Sequence, residues 1–554
     1  MALCQICAGL DLASIIQMKT LEGGEFIEAY PGSNDILHWL PGDNETQSPT
    51  ASLFPYHATV ADLVKNTNTC NLCRVVHRSI TSTISLLEKI TESTPTASSI
   101  LTHRMFLCGS QRHQGLQIMS YDEHQGRSTP VYLLGEVGFA EDTEDLNSGP
   151  FRRIPESPRS TGTLKFIKRR LSYFEKDLHD HHKTLVQPTR LLKYDQEIQN
   201  VVLCSIIPLD AKYAALSHCW GSVQPLTLNS QTAPQLRKGL PIAEFPQTFQ
   251  DAFWLIDQLK IPYLWIDSLC IFQDSKDDWI HESSRMCDVY GNAYLMVAVV
   301  GAKNCNEGFL GPRDQGYVDI PFPLNSRSDK ASAFPISRSQ VFVYPNEVAD
   351  FADEPLSKRG WTLQERYLPL RKLHFTRSMV YVECGRVLTS EDGCRYSAEY
   401  SIHTDFRNKG IVWNGGNSYS AWRRSIEHKW EILVQQYSGK SLTVDSDKLP
   451  AIAGLAAYLS LQGTQRQKVI YLAGLWSNSV IRGMSWRIGS IRHRNVAPKS
   501  YIAPSWSWAS VNCAILMPLF KIEELAIVRD VAVYLEKAES PFGRVTGGWV
   551  HLSA

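Results

Sequence analysis

Tyr213-Ala214-Ala215-Leu216-Ser217-His218-Cys219-Trp220-Gly221 decides the fold class of this chain. A short apolar run stops at a polar cluster, as a buried strand does when it ends in a tight loop. Downstream, Phe249, Ala252, Phe253, Ile256 and Leu259 recur at helical spacing, with Thr248 as the expected cap and Asp251 three residues on. Tyr263-Leu264-Trp265-Ile266-Asp267 reads as a second buried strand. Trp279, Ser283, Met286 and Tyr290 mark the inner face of one further helix, and Ala293 to Val300 is a third strand. Strand, helix, strand, helix, strand within some ninety residues is a βαβαβ unit. It predicts an α/β protein with a doubly wound, mainly parallel sheet. Lys372 to Phe375 and Met379 to Cys384 supply two more strands, beyond an insertion over 302–356.

In an open parallel sheet, ligands bind beyond the carboxyl ends of the strands. The first strand delivers Ser217, His218, Trp220 and Gly221 to that edge, and the second delivers Asp267. The stretch Arg359 to Leu368 (RGWTLQERYL) is read as a short helix stopped by Pro369, with Trp361, Glu365 and Leu368 on one face. Taken alone it favours a solvent-facing Glu365. Beside two loops carrying His218 and Asp267, it becomes the third contributor to a small-molecule site. Each residue keeps a plain structural alternative: His218 as a loop histidine bonded to a carbonyl, Asp267 as the cap of the following turn, Cys270 as a core thiol. No Gly-x-Gly-x-x-Gly and no P-loop occupies the first β–α turn, which argues against the familiar dinucleotide and triphosphate folds.

The 554 residues exceed one ordinary domain, and 43% hydrophobic with 20% charged residues is a globular balance. Zero formal net charge gives no general case for nucleic-acid or membrane-surface binding. No apolar run approaches the roughly 20 residues that span a bilayer, and no leader is evident, so the expectation is a cytoplasmic protein. Cys4-Gln5-Ile6-Cys7 and Cys70-Asn71-Leu72-Cys73 are two C-x2-C pairs, and Cys4, Cys7, Cys70 and Cys73 together could hold a structural zinc. The long separation of the pairs leaves open that these are core thiols. His179 to His182 reads as a solvated helix end rather than a metal site. The expected division is an N-terminal region with the two Cys pairs (1–80), an irregular connection (81–200), the α/β domain (201–400) and a mainly helical, Trp-rich accessory lobe (401–554). In that lobe Trp422, Ile426, Trp430, Leu433 and Tyr437 share a helix face, and Pro504 to Ser510 is expected to be a strand.

Three blocks, Tyr213 to Gly221, Tyr263 to Val300 and Arg359 to Leu368, resemble the fungal heterokaryon-incompatibility (HET) domain family in order and wording. Gln187 to Leu191, Asp447 to Gly454, Tyr471 to Trp476 and Ala503 to Ala509 also look like segments of large HET proteins. The resemblance implies non-self recognition between fungal cells that ends in programmed death. It also implies a distant similarity to TIR domains, hence a TIR-like or flavodoxin-like sheet. Enzymatic TIR domains cleave NAD+ with a Glu that corresponds to Glu365, its neighbouring Trp being Trp361. Ser217, His218, Trp220, Gly221, Asp267 and Trp361 are then the nucleotide-contacting candidates, and self-association through the domain is expected of an active form. The alternative is a non-enzymatic module that signals by assembly or nucleotide binding, with Glu365 structural. The recognition partner is not legible in the chain.

Overall fold

The computed structural model describes residues 3–17, 25–28, 37–40, 53–91, 100–109, 115–121, 131–140, 153–177, 186–221, 226–313, 318–321, 340–346, 351, 354–385, 387–393, 395–397, 426–462, 469–489, 497–518 and 525–553. His179 to His182 and Trp422 lie outside them. The chain divides into two compact units. One comprises Met1–Glu156, Arg313–Asp350 and Ser390–Arg395; the other comprises Ser157–Pro312, Phe351–Thr389 and Tyr396–Ala554. Among the described residues no helix is long and apolar enough to cross a membrane.

The first unit is an antiparallel sheet packed on helices. Glu25–Glu28, Leu37–Leu40, Val131–Ala140, Gly115–Tyr121, Arg104–Gly109 and Phe54–Pro55 follow one another across it, and Gln340–Asn346 also pairs with Val131–Ala140. The 21-residue helix Asn71–Thr91 lies over Val131–Ala140. Gly135 permits this contact, because a Cβ there would stand 2.4 Å from the Ser79 carbonyl oxygen. Much of the described part of 81–200 is therefore regular rather than an irregular connection. The apolar stretches Met105 to Cys108 and Val131 to Leu134, which already read as strands, lie in Arg104–Gly109 and Val131–Ala140. Even the expected insertion 302–356 contributes two strands to this sheet, Val318–Pro321 and Gln340–Asn346.

The second unit is built on a ten-stranded mixed sheet. Its centre runs Tyr263–Trp265, Tyr213–Ser217, Leu295–Val299, Arg371–Phe375, and all three pairings among these are parallel. Tyr213–Ser217 is buried at every position, as a strand with neighbours on both sides requires. Outside this core the sheet turns antiparallel, so "mainly parallel" holds for the centre alone. Leu191–Asp195 pairs antiparallel with Tyr263–Trp265 on one side, and Val380–Cys384 with Arg371–Phe375 on the other. Only residues 376–379 join the latter two strands, too few for a parallel crossover, so they can form only a hairpin.

The helix between the first two central strands is Gln247–Gln258, with Phe249, Ala252, Phe253 and Ile256 buried. Pro246, not Thr248, precedes its first turn, and Asp251 is not part of a capping box. Asp251 instead accepts from the Phe309 and Leu310 amides (2.8 and 3.0 Å) and pairs with Arg159 at 2.7 Å. The single helix expected over 279–290 is two, Lys276–Ser284 and Met286–Asn292. Ser283 and Ser284 return their hydroxyls to the carbonyls of Ile280 and His281, and such back-bonding weakens a helix locally.

The C-terminal third lies in the same unit as these strands. Pro450–Gln462 packs on Thr362–Tyr367, and Gln364 Nε2 donates to the Pro450 carbonyl at 3.2 Å. Trp430, Leu433 and Tyr437 are buried on the helix Ile426–Ser438. Pro504 to Ser510 is not a strand but a tight turn ending in a 3-10 segment, Trp508–Ser510. Ser507 Oγ accepts from the Ala509 amide and donates to the Ala473 carbonyl, which curls the backbone, while Trp508 Nε1 is anchored on the Gly474 carbonyl. Alternation of aromatic and small residues carries no information about these local bonds.

Candidate functional site

The site is assembled at the carboxyl ends of the first two central strands, Tyr213–Ser217 and Tyr263–Trp265. Ser217 ends the Tyr213–Ser217 strand, and its hydroxyl donates to the Glu365 carboxylate. Glu365 is carried on the six-residue helix Thr362–Tyr367 and is 6% exposed. Asp267 opens the short helix Asp267–Cys270 directly after Tyr263–Trp265. One of its oxygens accepts from Trp220 Nε1 at 2.9 Å and the other from the Ser268 amide at 2.7 Å. Asp267 is thus the first residue of that turn rather than its cap, which is Ile266, and it fixes an indole from the first strand's loop. Arg359 donates to the His218 carbonyl, which ties the segment before the Glu365 helix to that same loop.

Burial pushes the Glu365 carboxyl up to about 7, with Asp267 adding to the rise, while the Arg359 cation and the Ser217 hydrogen bond oppose it. A carboxyl poised near neutrality can exist in either protonation state and can accept or return a proton. His218 is driven down to about 4 by burial, so its imidazole is neutral. It packs edge-on against Phe249 at 5.0 Å. Its Nε2 and the hydroxyl of Ser268 are buried with no hydrogen-bond partner among the described residues. Such groups cost about 1–3 kcal/mol each when left unmade, and unpaired polar atoms at strand ends are what a ligand would satisfy. Tyr290, underneath, is held well above its ordinary range by burial and by the charges of Glu365 and Asp267.

Gly221 takes φ +83°, and a Cβ there would stand 2.3 Å from Asn304 Cβ. The loop after the first strand and the loop after the third thus meet without room for a side chain, and the Cys305 amide reaches the Trp220 carbonyl at 3.4 Å. Trp361 behaves differently from the rest. It is half-buried, and its ring meets Trp279 edge-on at 6.2 Å, with Arg544 over the far indole. Ser217, His218, Trp220, Gly221, Asp267 and Glu365 thus share one locus, whereas Trp361 is engaged by packing on the Lys276–Ser284 helix. Cys270 is buried and its thiol is pushed up to about 12, as expected of a core cysteine.

Three residues of the locus, Arg359, Tyr290 and Ser268, are not among the site candidates read from the sequence. Arg359 opens the RGWTLQERYL block, and a cation shortly before Glu365 is the signal that could have found it. Tyr290 and Ser268 look in sequence like ordinary core and loop positions. Residues 213–365 match the family described as heterokaryon incompatibility protein (HET). The match opens on the first central strand and closes on Glu365. No curated protein and no solved structure matches the chain.

A second cluster lies in the first unit. The donor atoms of Cys4, Cys7, His57 and Cys73 all fall within 4.8 Å of one another. Cys4 Sγ and Cys7 Sγ stand 3.7 and 3.5 Å from Cys73 Sγ, and His57 Nε2 stands 3.2 Å from it. Cys70, expected as the fourth ligand, is outside this group. Its sulfur accepts from the Cys73 amide at 3.4 Å, at the start of the long helix. Sequence spacing does not point to His57, because two C-x2-C pairs already offer four ligands.

Proposed function

We propose that this chain acts in heterokaryon incompatibility and that its HET segment hydrolyses NAD+ at the nicotinamide–ribose bond. The observation that carries the reading is the buried Glu365 carboxyl, held by Ser217 at the carboxyl end of a parallel strand beside Asp267 and Trp220. The central strands run in the order second, first, third, fourth, which is the flavodoxin-like order of doubly wound sheets, whose ligands sit beyond the carboxyl ends of the strands. That order, with the sequence of the three blocks, supports a TIR-like arrangement.

The chemistry requires little machinery. The C1′–N bond breaks with its electron pair leaving on nicotinamide, which departs neutral. The oxocarbenium-like ribose is stabilised by the ionised Glu365 carboxylate. Water adds to C1′ and releases one proton, giving ADP-ribose. A carboxylate with affinity for protons near neutrality can take that proton from the attacking water. Binding of the cationic nicotinamide ring favours the ionised state of Glu365, and the unpaired His218 and Ser268 groups offer contacts for ribose hydroxyls.

The test is nicotinamide release from NAD+ by the purified full-length chain, at concentrations high enough for self-association, against Glu365→Gln. Release is expected from the wild type, rising as pH passes through about 7, and should fall by at least about a hundredfold in the variant. Release that survives the substitution removes Glu365 from the reaction. The low exposure of Glu365 favours a second reading, in which the carboxyl is structural and the segment signals by assembly. Absence of release, together with killing that Glu365→Gln leaves intact, would establish that one instead.

A further inference from the structure

We infer that Cys4, Cys7, His57 and Cys73 bind one zinc ion that fastens the N-terminal segment to the first unit. The inference is independent of the NAD+ reading. Four ligand atoms around a tetrahedral zinc, with Zn–S near 2.3 Å and Zn–N near 2.0 Å, lie about 3.3–3.8 Å apart. The sulfur–sulfur distances of 3.7 and 3.5 Å from Cys73 Sγ match those edges, and His57 Nε2, at 3.2 Å, falls just inside them. Three thiols and an imidazole gathered among Leu12, Ile15, Val60, Leu63 and Val76 have no packing reason to converge. A thiol is a weak hydrogen-bond donor, and a disulfide would join two sulfurs and strand the third.

The surroundings suit thiolate ligands. Cys73 is the third residue of a 21-residue helix, where free amides and the helix dipole favour negative charge. The Tyr56 hydroxyl lies 3.1 Å from Cys7 Sγ and can donate to it, the kind of outer hydrogen bond that orients a metal ligand. A three-sulfur, one-nitrogen tetrahedron selects zinc over the oxygen-seeking magnesium and calcium. With four protein ligands the site is closed, so its role is structural. Cys4 and Cys7 flank and enter a helix of only four residues, Gln5–Ala8, which has no stability of its own. The ion would clamp that turn to the Tyr56–His57 segment and to the start of the long helix, closing loops of about 50 and 66 residues.

The experiment is metal analysis of the full chain, purified reduced with zinc supplied and without chelator, followed by replacement with cobalt. The wild type should carry one zinc per chain, and its cobalt form should show thiolate-to-cobalt charge transfer with tetrahedral visible bands. Cys73→Ser and His57→Ala should lose the metal, while Cys70→Ser should keep it. Should Cys73→Ser not fold, a chelator applied to the wild type must release the zinc, lower the urea midpoint and expose three further thiols to titration. A wild type that holds no zinc after reconstitution overturns the inference. So does metal retained in folded Cys73→Ser, or metal lost in Cys70→Ser yet kept in His57→Ala.

Discussion

Replacing Glu365 with Gln should stabilise the protein, and should do so increasingly as pH rises. The carboxyl is buried, and burial lifts it from 4.5 to about 7. At about 1.4 kcal/mol for each pH unit, a shift of this size corresponds to about 3 kcal/mol. Below pH 4.5 the carboxyl is protonated in folded and unfolded chains alike, and it adds no pH dependence. Between 4.5 and about 7 the unfolded chain releases its proton while the folded chain keeps it. Wild-type stability therefore falls across that window and levels off above it. Gln is a near-isostere of the protonated acid, can still accept from Ser217, and never ionises. Urea unfolding at pH 5, 6, 7 and 8 should show the two proteins close together at pH 5. By pH 8 the variant should be ahead by about 3 kcal/mol, the full value of the linkage. A difference that does not change with pH would refute the argument. A variant that is weaker than the wild type above pH 7 would also refute it, because the carboxylate would then be held ionised by Arg359 rather than neutralised by burial. The outcome bears on mechanism, since a base that is costly to ionise gains from a cationic ligand.

Two further substitutions test the scaffold. Gly221→Ala places a Cβ 2.3 Å from Asn304 on a backbone at φ +83°; it should cost at least about 1 kcal/mol in urea unfolding, and nicotinamide release should fall with it as the two loops part. Arg190 donates to both oxygens of Asp278 at 2.7 Å and pairs with Glu282 at 3.1 Å, a carboxylate whose side chain is 2% exposed. Arg190→Met leaves that charge uncompensated and should lower stability by about 3–5 kcal/mol, whereas a loss under 1 kcal/mol would show that the pair is not desolvated.

Several of these residues are legible in the amino-acid chain alone. The buried strands around Ala214, Leu264 and Val297 announce themselves as unbroken apolar runs, because a strand with neighbours on both sides has no polar face. Their ends follow directly, so Ser217 and Asp267 can be assigned to one edge of a sheet. Of the antiparallel flanks, Met379 to Cys384 is legible and its short connection dictates a hairpin, whereas the direction of Leu191–Asp195 is not, since so short a strand has none until it is paired. Gln187 to Leu191 carries a family resemblance, but the clamp that Arg190 makes on Cys270 and Asp278 spans about 80 residues. The tight turn at Pro504 to Ser510 depends on one hydroxyl bond and one indole bond to a loop some 34 residues earlier.

Sequence by itself determined the α/β class, the βαβαβ order and the block whose last helix carries Glu365, because period and apolar run length are local properties. Tertiary structure alone decided what that carboxyl is. A Glu on a short helix is ordinarily solvated, and only the approach of Ser217, with Pro450–Gln462 packed over its helix, removes the water that would keep its proton affinity normal. Likewise only the fold could exchange Cys70 for His57, since sequence spacing counts ligands whereas coordination depends on which side chains converge within 4.8 Å.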